Sequence, residues 1–265
     1  MKVIKVLLLF ILTVSFSCSI VPMTGRKQFI AIPSSEMLAL SAESYDQVLT
    51  DNKISDNRSY IESVNIVGKK LIVAVEEYLK LNGLESRIEG FDWQFNVLAS
   101  EELNAWCMPG GQIAFYEGIM PICVDENGIA IVMGHEIAHA VARHGNERLS
   151  QQLVINLGGM ALSEAMATKK EETQQLALLA FGVGTQVGVA LPYSRTHETE
   201  ADELGLYFMA MAGYDPQTAP AFWGRMEKAG GARPPEFLST HPDPSNRIEY
   251  LNKIMPKALE YYNNR

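Results

Sequence analysis

The sequence predicts an α+β fold, mostly helical, with a small and mainly antiparallel sheet. Three observations carry that expectation. Val64, Val67, Leu71 and Val75 recur at three- and four-residue spacing, with Lys69, Lys70, Glu76 and Glu77 on the opposite side, the pattern of an amphipathic helix. From Phe91 the period falls to two: Phe91, Trp93, Phe95 and Val97 alternate with Asp92, Gln94 and Asn96, which is the pattern of a strand. The 265 residues are 47% hydrophobic and 20% charged, which suits a globular chain and excludes disorder, collagen-like repeats and a disulfide-dense miniprotein. With 22 Lys+Arg against 31 Asp+Glu, a net charge of −9 and no basic stripe, nucleic acid is not an expected partner.

Each element can be justified in chain order. Lys2 and Lys5, an apolar run from Val6 to Val14 and small residues before Cys18 make residues 1–17 a secretory signal peptide, too short to span a bilayer as a helix. Cys18 in that position resembles the lipidated cysteine of bacterial lipoproteins. The expected organisation is therefore a lipoprotein signal peptide at 1–17, a lipidated segment at 18–33 and one catalytic domain at 34–265. An exported chain leaves Cys107 and Cys123 two fates, a bridge or two buried free thiols. Ser34 to Leu81 reads as helical. Asn104 to Met108 reads as a second strand, turned by Pro109-Gly110-Gly111 into a third at Gln112 to Tyr116. Asp125 is a suitable N-cap for a helix from about Asn127 to Leu149. Residues 151–191 are small and apolar around the charged break Lys169 to Glu172, and read as a helical hairpin, either a lid or packing core. Neither half is long and uninterrupted enough to read as a membrane span. A further helix starts near Thr196, Asp215-Pro216 marks a turn, and a helix closes the chain over Ser245 to Tyr262.

The chemistry sits on the helix after Asp125. His135-Glu136-Ile137-Ala138-His139 is an HExxH motif, and residues four apart on a helix share a face, so both imidazoles aim at one point. Two neutral imidazoles suit Zn²⁺, and Glu136, adjacent to the first, is placed as general base. A catalytic zinc needs a third protein ligand and an open position. The best candidates are Glu198 and Asp202, again four apart, one to bind metal and the other to hold a ligand imidazole through its free N–H. His197 and Glu200 project elsewhere on the same helix and read as solvated surface residues. His144 falls off the ligand face and reads as structural.

HExxH followed some sixty residues later by Ser194-Arg195 and the Glu198-x-Glu200-Ala201-Asp202-x-x-Gly205 string resembles the zinc metallopeptidases of the HtpX, CAAX prenyl protease and Oma type. More narrowly it resembles their periplasmic lipoprotein branch, with LoiP, YcaL and the peptidase domain of the β-barrel assembly-enhancing protease. Pro22-Met23-Thr24-Gly25-Arg26, Asn104-Ala105-Trp106 with Pro109-Gly110-Gly111, Ala142-Arg143-His144-Gly145 and Thr240-His241-Pro242 with Arg247-Ile248 extend the likeness over most of the chain. The resemblance implies a zincin-like metallopeptidase domain with one Zn²⁺ per chain, held by His135, His139 and Glu198. Glu136 is then the catalytic base and Asp202 the partner behind a ligand. It also implies that His241 is a regulatory zinc ligand able to hold the site off, against a plain turn residue as the reading from sequence alone. Arg247 then steadies the transition state or a carboxylate, or makes an ordinary salt bridge. The expected function is a zinc endopeptidase, lipid-anchored through Cys18 on the periplasmic side of the bacterial envelope, at the outer membrane. Its expected role is quality control of unfolded or misfolded envelope polypeptides, with substrate extended along the strand at Gln112 to Tyr116. The alternative is a zinc-binding chaperone or assembly scaffold with little proteolysis.

Overall fold

The computed structural model describes residues 18–229, 236–241 and 246–264, so the signal-peptide segment at 1–17 and the turn after His241 lie outside the described residues. The described residues divide into two compact units, one drawn from 35–143 and 195–264, the other from 18–34 and 144–194.

The larger unit carries the sheet and most of the core. Helix α1 (Ser34–Asp51) and helix α2 (Arg58–Leu81) replace the single helical run expected from the sequence. Asn57 causes the restart: its side chain accepts a hydrogen bond from the Tyr60 backbone N–H and caps α2. Val64, Val67, Leu71 and Val75 of α2 are fully buried, as their spacing predicted. Strands β3 (Gln94–Leu98), β4 (Ala105–Cys107) and β5 (Gln112–Tyr116) form a sheet of order β3-β5-β4. The β4–β5 pairing is antiparallel and the β3–β5 pairing parallel. This order corrects one expectation. Strand β5 was to offer the open edge for substrate, but both its edges are occupied, and β4 is the edge strand instead. The short helix α3 (Met120–Cys123) leads into helix α4 (Glu126–Val141), which Asp125 caps by accepting from the Gly128 N–H at 3.1 Å.

Every residue of α4 from Gly128 to Val141 is buried, so this helix is the axis of the unit. It ends eight residues earlier than the sequence suggested, because Arg143 adopts a left-handed φ of 59°. Helix α7 (Leu191–Met211) enters the unit at Arg195, and helices α8 (Ala219–Ala229), α9 (Glu236–Thr240) and α10 (Arg247–Asn263) complete it.

The smaller unit joins a two-stranded antiparallel ribbon to helices. Strands β1 (Cys18–Ile20) and β2 (Lys27–Phe29) pair, and helix α5 (His144–Met166) receives them. Buried Glu147 accepts both guanidinium nitrogens of Arg26, at 3.0 and 2.7 Å, and the Phe29 N–H at 3.3 Å. Ser150 Oγ accepts the Ala31 N–H at 2.9 Å. Helix α6 (Glu171–Thr185) returns along α5 and runs through a π-helical stretch, Gln186–Ala190, directly into α7. The hairpin expected at 151–191 is present. Its second half is not the interrupted segment expected, because Glu171–Met211 forms one continuous helix long and apolar enough to cross a membrane.

Candidate metal centre

Two helices bring the site together by crossing closely. A Cβ on Gly134 would meet the Gly205 carbonyl oxygen at 2.8 Å, and a Cβ on Gly205 would meet the His135 nitrogen at 2.7 Å. Only glycine on both sides lets α4 and α7 approach backbone to backbone. That approach sets the imidazoles of α4 against the carboxylates of α7.

His135, His139, Glu198 and His241 converge, with one potential ligand atom from each within 4.8 Å of all the others. His135 Nε2 lies 3.1 Å from His139 Nε2, 3.3 Å from Glu198 Oε2 and 3.3 Å from His241 Nδ1. Glu198 Oε1 lies 3.5 Å from His139 Nε2, and its Oε2 lies 3.3 Å from His241 Nδ1. Tetrahedral Zn²⁺ with bonds of about 2.0–2.1 Å sets its ligand atoms about 3.3 Å apart. The donor set therefore fits zinc in both chemistry and spacing. His135 Nδ1 and Asp202 Oδ1 are 3.0 Å apart, so the ring donates its Nδ1–H to that carboxylate and turns the Nε2 lone pair to the centre.

The electrostatics favour a cation. Burial alone would lower the His135 pKa, but the hydrogen bonds to Asp202 and Glu198 push it up to about 9. Burial brings His139 down to about 3, which keeps it neutral with its lone pair available. Burial would raise Glu198, yet His139, His135 and His241 hold it well below the usual carboxylate range. Burial raises Glu136. Its Oε2 accepts the Cys107 N–H at 3.3 Å, while its Oε1 has no hydrogen-bond partner among the described residues and lies 3.5 Å from His241 Nε2.

Arg247 backs the ligands rather than facing the centre. Its Nε donates to Asp202 Oδ2 at 2.7 Å and its Nη2 to Glu198 Oε2 at 3.4 Å, and the guanidinium lies 4.0 Å from the Trp223 ring centroid. Of the readings left open for it, the carboxylate partner is the one this geometry realises.

Two expectations need correction. His197 and Glu200 are buried, not solvated, because α7 is enclosed on more than its ligand face. His144 is fully buried, consistent with a structural residue. Cys107 and Cys123 are free thiols, Cys123 buried and Cys107 half-buried, so no bridge joins them. Sequence reasoning missed the aromatic walls: Phe237 stacks on His241 at 4.7 Å, and Trp223 meets His135 edge-on at 5.8 Å. Phe237 and His241 stand four apart, a spacing that was there to be read. It missed too that the Cys107 N–H holds Glu136.

An HExxH helix and a glutamate helix crossing beneath a small sheet define a zincin-like metallopeptidase domain. The model of peptidase family M48 matches residues 69–255, and the chain belongs to that family. The chain is 31% identical over 244 residues to the mitochondrial metalloendopeptidase OMA1 of Schizosaccharomyces pombe, covering 90% of this chain and 66% of that one. It is 38% identical over 185 residues to the OMA1 of Saccharomyces cerevisiae, covering 67% and 51%. With the β-barrel assembly-enhancing protease of Escherichia coli it shares 29% identity over 177 residues, covering 63% and 36%. The chain thus spans between about a third and two-thirds of the length of these relatives.

Proposed function

We propose that the chain is a zinc-dependent endopeptidase of unfolded or misfolded envelope polypeptides, with residues 34–265 acting as its metallopeptidase domain. The observation that carries this reading is Glu136, a buried carboxylate beside the ligand cluster whose Oε1 has no hydrogen-bond partner among the described residues. A purely structural zinc site has no use for a base there. His135, His139 and Glu198 would hold the ion, and Asp202, with Arg247 behind it, would fix the His135 tautomer. Bound zinc supplies Lewis-acid polarisation of a carbonyl and lowers the pKa of water. Glu136, its pKa raised by burial, takes a proton from the attacking water and returns it to the leaving amine.

Substrate is assigned to the edge of β4. Tyr116 N–H donates to the Asn104 carbonyl and Met108 N–H to that of Gln112, so the intervening Ala105 and Cys107 turn their backbone groups away from β5, with the Cys107 N–H on Glu136. An extended peptide adds there by strand pairing, next to Glu136. His241 is assigned a regulatory role, because a fourth protein donor leaves a zinc ion no open position. The relatives support proteolysis through their names alone; location at the periplasmic side of the envelope and lipid on Cys18 rest on the N-terminal sequence.

The test compares full-length wild type, Glu136→Gln and His241→Ala in mild detergent, each assayed for bound zinc and for cleavage of unfolded casein. All three should hold about one zinc, with cleavage absent in Glu136→Gln and raised in His241→Ala. Zinc in every form with cleavage in none would establish the scaffold reading instead. Absence of zinc would refute both.

A further inference from the structure

An unexplained apolar surface lies on the helices of the smaller unit. Among the residues of α6 none is buried, and of α5 only His144, Asn146, Glu147 and Ser150 are. The remaining faces are apolar: Leu153, Leu157 and Met160 on α5, and Leu176, Leu179 and Val183 on α6, with Met160 69% and Leu179 64% exposed. A soluble unit does not leave a contiguous surface of this kind to water. From Thr173 to Ser194 there is no charged residue, and those 22 helical residues extend about 33 Å, close to the hydrocarbon thickness of a bilayer. The continuous helix from Glu171 is long and apolar enough to cross a membrane, and none of that apolar window is buried within the protein, which sets it apart from a core helix.

We propose that the α5–α6 hairpin inserts into the hydrocarbon region of a lipid bilayer. The backbone is helical throughout both arms, so no peptide group is left unsatisfied in lipid. The arms meet through small residues: a Cβ on Gly158 would lie 3.0 Å from the Phe181 ring, and one on Gly159 3.6 Å from it. Gly182, Gly184 and Gly188 follow in the same helical run, a density of glycine that costs stability in a water-exposed helix and is ordinary in a membrane one. Charge selects the binding mode. Between Leu149 and Ser194 the charged residues are Glu164, Lys169, Lys170, Glu171 and Glu172, all near the tip, with no net positive charge. Attachment is therefore by apolar burial and not by attraction to anionic headgroups. The ribbon that begins at Cys18 belongs to the same unit, but insertion of the hairpin requires no lipid there.

The test places a tryptophan at Met160 or Leu179 of the full chain and adds neutral phosphatidylcholine vesicles with brominated acyl chains. Both positions are exposed, so neither change disturbs packing. Quenching above the wild-type background is expected at both, unchanged at about 0.5 M salt. None is expected for Val73→Trp, an equally exposed site on α2. Adding Leu179→Asp to the Met160→Trp chain should reduce the quenching about tenfold. Vesicle binding without added quenching at 160 and 179 would overturn the proposal, because it would come from the N-terminus alone. A blue shift that needs no vesicles and grows with protein concentration would overturn it as well, assigning the surface to a second copy of the chain.

Discussion

Gly205→Ala tests whether the helix crossing, and not the ligands alone, makes the metal centre. The added methyl would sit 2.7 Å from the His135 nitrogen and 2.9 Å from the Gly134 carbonyl carbon, both of them backbone atoms that no rotamer change can remove. Ordinary contact begins near 3.4 Å, so α4 and α7 must part by about 0.7 Å at this point. Overpacking of this kind costs about 1–3 kcal/mol. Glu198 lies two turns up α7 from Gly205 and moves with it. Zinc–ligand bonds tolerate about 0.2 Å, so part of the shift falls on the site and zinc affinity should drop at least about tenfold, which is about 1.4 kcal/mol. Competition with a calibrated chelator measures the affinity, and thermal melting with and without zinc measures the rest. The metal-free melting temperature should fall by about 3–9 °C. A Gly205→Ala protein that melts and binds zinc like wild type would refute the close crossing.

Other predictions follow from single features. Val124 has φ 71° and ψ −50°, with Asp125 N–H bonded to the Cys123 carbonyl, a γ-turn that strains a β-branched residue by about 1–3 kcal/mol. Its side chain is exposed, so Val124→Gly should raise the melting temperature by about 2–4 °C after the entropy cost of glycine; a lower one contradicts the turn. Burial raises the thiol pKa of both Cys107 and Cys123. Since the thiolate forms only as pH rises through the folded-state pKa, neither should alkylate at pH 8 in the native protein and both should in denaturant, as read by peptide mass. Arg26→Ala strips Glu147 of its bidentate partner at a cost of about 1–3 kcal/mol. Faster limited proteolysis of residues 18–33 is the expected outcome, and unchanged cutting would mean the bonds that the Phe29 N–H and the Gln28 side-chain amide donate to Glu147 suffice.

What the sequence made legible was what neighbours along the chain determine. His135 and His139 share a face because helical spacing puts them there, and Glu198 and Asp202 pair for the same reason. The apolar face of α2 was readable residue by residue. Strand order was not, since nothing local tells β5 from an edge strand; only the pairing of β3 and β4 on its two sides does. The end of α4 was missed because the left-handed residue is Arg143, with no glycine or proline to mark it. His197 and Glu200 were misplaced because a helix with polar residues all round gives no sign of being enclosed. His241 lies 106 residues from its contact His135, and only likeness to a family pointed to it.

Under the proposed zinc assignment, the four donors differ in what holds them, and that separates retention of the metal from access to it. His135 and His139 stand on a helix buried along nearly its whole length, and Glu198 is fixed by α7 and by Arg247. Deleting one of these removes a ligand from a site the core has already organised, and the core cannot replace it. His241 follows a five-residue helix and is positioned by the Phe237 stack and by its own backbone N–H, bonded to the Phe237 carbonyl at 2.8 Å. A helix that short has little stability of its own, so the imidazole can leave while the other three donors stay in place. His241→Ala should therefore retain zinc at near wild-type affinity and gain activity, whereas Phe237→Ala should give the same phenotype more weakly by loosening the ring without deleting it. Loss of zinc in His241→Ala comparable to that in His139→Ala would show the four to be one structural set, and the regulatory assignment would fall.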